Sequence, residues 1–93
     1  MSHPLLTLFA RGAARRDLLR KGYSFSAIQS AMADIDCSAV DLAAAEAGPE
    51  TVSAVGALGD GTILQAIIAF FQSPQGQALI AALVQMLIHL IGG

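Results

Sequence analysis

After Asp60 the chain carries no Asp, Glu, Lys or Arg to its end. The run GTILQAIIAFFQSPQGQALIAALVQMLIHLIGG is built from Ile, Leu, Ala, Val, Phe and Met, with a few glutamines and one histidine. Large apolar side chains left in water forgo roughly 1.5–3 kcal/mol each relative to burial. The segment must therefore be covered by a membrane, by other subunits, or by the rest of its own chain.

Its internal punctuation predicts two helices. Residues 62–72 are apolar and helix-compatible, and Ser73-Pro74-Gln75-Gly76 then interrupts the run. Ser is a good N-cap and Pro suits the first helical turn, so a second helix is predicted from Pro74 to about Ile91, stopped by Gly92-Gly93. One long helix kinked at Pro74 is the alternative. The second helix would reach about 27 Å, just short of a bilayer core of about 30 Å. A continuous kinked helix of about 45 Å would span with tilt.

The polar and small residues of this stretch fall in stripes. Ala78, Ala82, Gln85 and His89 share one helix face, and Gln65, Ala69, Gln72 and Gly76 make a similar line in the first half. Small-and-polar seams of this kind pack helix on helix, in lipid or in a bundle. The same residues could face a pore. His89 in such a helix reads as a hydrogen-bonding residue or as a protonatable pore-lining one.

Charge divides the chain into three zones. Arg11, Arg15, Arg16, Arg20 and Lys21 are all of its basic residues, and with Asp17 they give the first 21 residues a charge of +4 (5 − 1). Residues 22–60 hold six acids and no Lys or Arg, and residues 61–93 hold no charge. Charged residues are 13% of the chain and hydrophobic ones 55%; the charged share is about half that of soluble domains, which points toward a membrane or an assembly. The basic cluster follows the apolar start Leu5-Leu6-Thr7-Leu8-Phe9, the reverse of a secretory signal. It could bind anionic head groups or nucleic-acid phosphates, or form a solvated face that balances the acidic zone. Were the tail to span a membrane, the N-terminus would be cytoplasmic.

A first helix is predicted to open near Ser2-His3-Pro4 and to end at Gly22. Residues 23–48 read as two short helices, the first capped by Ser24 or Ser26 with Phe25, Ile28, Met32 and Ile35 turned toward a core. Asp36-Cys37-Ser38 reads as a turn, with Ser38 capping a helix that stops at Gly48-Pro49. Residues 49–61, with Gly56, Gly59 and Gly61, read as a glycine-containing linker, with a short helix over residues 51–58 as the alternative.

Leu18-Leu19, Lys21-Gly22-Tyr23-Ser24, Ala27-Ile28, Ala31-Met32, Asp36 and Val40-x-x-Ala43 resemble the ubiquitin-associated three-helix domain over residues 18–47. That family carries a Met-Gly-Phe-like loop after its first helix and a Val-x-x-Ala at the start of its third. Here Lys21 replaces the apolar residue before the glycine, and the third helix is alanine-rich. The resemblance implies a small helical binding module. Ubiquitin binding does not carry over with it.

The same residues could also form a helix-turn-helix, but residues 38–47 offer Asp41 and Glu46 where a recognition helix needs Arg, Lys, Asn or Gln. Single Cys37 permits no internal disulfide and reads as a small core residue, and one Cys with the distant His3 and His89 makes no metal cluster. No Walker loop, metal-ligand spacing or nucleophile motif occurs. The expectation is therefore an all-α, non-enzymatic protein with no cofactor and no small-molecule substrate. It would have a helical head over residues 1–48, a linker over 49–61, and an apolar C-terminal helix or hairpin over 62–93. A structural or assembly protein, such as a minor virion component or a membrane-assembly subunit, fits this outline. A holin- or toxin-like pore former and a soluble nucleic-acid-associated adaptor are the alternatives.

Overall fold

The computed structural model describes residues 4–33, 35, 37–58 and 64–92, and the side chains of all of these but Pro4 and Cys37. Six helices follow one another: α1 (Pro4–Arg20), α2 (Phe25–Met32), α3 (Cys37–Ala47), α4 (Pro49–Leu58), α5 (Leu64–Gln72) and α6 (Pro74–Gly92). No strand occurs among the described residues, so the chain is all-α. The expected opening at Ser2-His3, the turn at Asp36, the core place of the Cys37 side chain, and Gly59, Gly61 and Thr62 all lie outside the described residues.

The helix ends obey local chemistry. Gly22, at φ 97°, closes α1. Its N–H donates to the Leu19 carbonyl at 3.1 Å, and the Tyr23 N–H donates to the Leu18 carbonyl at 3.2 Å. This pair of bonds is a Schellman cap, with the half-buried Tyr23 ring packed on the core beyond it. The Ser24 hydroxyl accepts the Ala27 N–H at 3.2 Å and so starts α2. Gly48, at φ 125°, is the single residue between α3 and α4; only glycine takes that conformation without strain. Ser38 does not cap α3 but lies inside its first turn, because the helix already begins at Cys37.

The segment expected as a linker is helical over the whole of its described length, Pro49–Leu58, and so takes the short-helix alternative. Pro49 opens α4, as proline does at a first helical position. Thr51 and Val55, one turn apart, are buried. Gly56 suggested a break, but it sits on the exposed face of α4, where it costs about 1 kcal/mol against Ala. Burial on the opposite face offsets that cost.

Helix α6 is the hub, packing against all five other helices and most extensively against α3 and α1. Its buried residues are Gly76, Leu79, Leu83, Val84 and Leu87. The helices around it offer small residues: Leu6, Ala10, Ala14 and Leu18 form the buried line of α1, and Ala39, Val40, Ala43 and Ala44 that of α3. Alanine faces let these backbones come close, and the α6 leucines fill the space between them, the large-against-small fit that native packing density requires. Residues expected in a head and residues expected in a separate tail thus share one apolar core.

Candidate functional site

The five basic residues of the N-terminal cluster separate into different roles. Arg11 turns inward: its guanidinium donates to the Ile35 carbonyl at 2.7 Å and to the Met32 carbonyl at 3.3 Å. These oxygens belong to the end of α2 and the turn after it, where carbonyls lack helical partners. Lys21 pairs with Asp17 at 2.7 Å, one turn back on α1, a partly exposed pair of small energetic weight. Arg15, Arg16 and Arg20 are exposed, and among the described residues none of them makes an ion pair. The basic and acidic zones are therefore not paired with each other among the described residues.

Arg11→Ala is expected to destabilise the protein by about 2 kcal/mol, because two part-buried carbonyls lose a charged donor. Arg15→Ala should stay within about 0.5 kcal/mol. Urea unfolding of the two variants side by side would check this, and equal effects would contradict the inward role of Arg11.

The outer ridge of α1 runs through Leu5, Leu8, Gly12, Arg15, Arg16 and Leu19, opposite its buried line. Leu8 is 62% exposed. A groove between α1 and α5 has walls of Leu8, Phe9, Ile68 and Phe71, with Arg16 and Gln72 at its edge. A second, larger groove of about 730 Å³ lies between α3 and α6. Leu42 and Glu46 form one wall, and Ala82, Met86, His89 and Leu90 the other. Leu42 and Leu90 are exposed despite their size.

The stripe read as a packing seam does not carry the intramolecular packing. Ala78 and Ala82 are half-buried, and Gln85 and His89 are exposed; Gln65, Ala69 and Gln72 on α5 are exposed, and of the stripe residues Gly76 alone is buried, against the end of α5. The leucine line through residues 79, 83 and 87 does the packing instead. Ala82, Gln85 and His89 are brought together on the α3–α6 groove. The α5 residues are not part of that groove. Among the described residues no three His, Cys, Asp or Glu side chains are grouped so as to hold a metal ion.

Helix α6 is long and apolar enough to cross a membrane, the one such helix among the described residues. Comparison of the chain with protein-family models, curated proteins and solved structures finds no match.

Proposed function

We propose that this is a small non-enzymatic assembly protein that acts by association through the outer faces of its bundle. One observation carries the reading. The leucine line of α6 is already covered by its own chain, yet Leu8, Leu19, Leu42, Leu64 and Ile68 remain exposed on the surrounding helices, and Leu90 on α6 itself. Several of them border grooves together with other apolar side chains, and grouped apolar surface of this kind marks an interaction site where single exposed leucines would not. The resemblance of residues 18–47 to a helical binding module favours the same role. Full-length protein, purified without detergent, is expected to sediment as a discrete oligomer. A monomer at all concentrations would count against the proposal.

A second reading is membrane attachment by the uncharged α5–α6 pair, with the N-terminus cytoplasmic. It is favoured by the length of α6 and by the 28% of its most apolar window that is buried. The exposed Gln65, Gln72, Gln85 and His89 would then be the residues available to line a pore. Vesicle flotation separates the readings. Protein that floats with lipid and resists both high salt and alkaline extraction is inserted, whereas protein left at the bottom of the gradient as an oligomer is an assembly of bundles.

A further inference from the structure

We propose that the outer ridge of α1 in one copy seats in the α3–α6 groove of a second copy, with its arginines against Glu46 on the α3 wall of that groove. This rests on the reading of the chain as an assembly protein and names the partner and the two surfaces. The argument begins with charge. Arg15, Arg16 and Arg20 are exposed without ion-pair partners among the described residues, and Glu46, exposed on the α3 wall of the groove, is likewise unpaired. Charges of opposite sign held apart within one molecule are complementary between two, and such complementarity fixes register and speeds encounter.

The apolar parts match in the same sense. The ridge presents Leu8 and Leu19 on either side of the arginines, and the groove presents Leu42, Met86 and Leu90 beside Glu46. A ridge of side chains packing into a groove is the ordinary geometry of helix contact. Gly12 adds a further sign. It sits between Leu8 and the arginines, and a Cβ placed there would meet nothing within 4 Å in its own chain. Glycine inside a helix is a poor helix former beside Ala, and packing within the bundle gives no reason for it here. A bare backbone at the centre of the ridge lets a second helix approach closely, as small residues do at helix crossings. Because the two surfaces differ, the contact is either made twice across a two-fold axis or repeated head to tail.

The test is sedimentation of the full chain at low and high salt, with a charge-swap series. The native protein should associate, and more weakly as salt rises. Arg15→Glu with Arg16→Glu should raise the apparent dissociation constant at least about tenfold. Adding Glu46→Arg to that chain should restore association, and so should mixing the arginine-reversed protein with the Glu46→Arg protein. Gly12→Leu, which improves helix propensity and so keeps the bundle folded by circular dichroism, should also block association. Salt-independent association that survives charge reversal would overturn this contact while leaving the assembly reading intact. Failure of the swapped pair to re-associate would overturn it as well. A monomer whose arginines bind anionic vesicles or nucleic acid instead would overturn both.

Discussion

Leu83→Ala is expected to lower the unfolding free energy by about 4 kcal/mol, near the upper part of the range for a fully buried leucine. Leu83 is 0% exposed and lies at the middle of α6, where α1 and α3 turn alanines toward the core. That setting makes the cavity hard to close. Alanine side chains have no torsion through which to move inward, so relaxation would require whole helices to shift. A chain of this length has a total stability of roughly 5–14 kcal/mol, so the loss is a large fraction, and the melting temperature should fall by about 20 °C. Gln85→Ala, exposed on the same helix, should change stability by no more than about 0.5 kcal/mol. Urea titrations with circular dichroism would measure both. If Leu83→Ala were as mild as Gln85→Ala, α6 would not be the core of a bundle in the free protein, and membrane insertion would become the better account of its apolar side.

That contrast also shows which parts of the structure a reading of the residues could reach. Helix ends are legible wherever Pro fixes the backbone or Gly frees it, as at Gly22, Gly48 and Ser73-Pro74. The face of α6 is not. In a helix without charge, the contrast between faces is small, and glutamine and alanine mark either a seam or a solvent edge. Only the alanine lines of α1 and α3, distant in sequence, decide that the leucines turn inward. Helix α4 is legible only as the weaker of two readings, a short helix over residues 51–58, because three glycines within six residues favour a linker. Arg11 could not be told from its basic neighbours, since its role depends on where α2 ends in space. Both grooves combine residues from separate helices, so neither has a local signature.

Gly76→Ala is expected to destabilise the protein by about 3 kcal/mol, although alanine is the better helix former by about 1 kcal/mol. A methyl group at this position would press on the Phe70 carbonyl and lie 2.6 Å from the Phe71 Cα. These are backbone atoms, so no side-chain rotation relieves the contact. The crowding follows from the turn at Ser73. Its hydroxyl donates to the Phe70 carbonyl at the end of α5 and accepts the Gly76 N–H at 3.2 Å at the start of α6. One side chain thus fastens both helix ends and brings the first turn of α6 against the last turn of α5. Relief would require opening that turn, which draws the buried Ile67 and Phe70 away from their packing. Gly12→Ala is the matched control, because nothing lies within 4 Å of its added methyl. It should raise stability by up to about 1 kcal/mol. The same substitution in two helices should therefore act with opposite sign. Urea midpoints that move together would mean that α5 and α6 are one continuous helix, bent at Pro74 and free of the Ser73 turn.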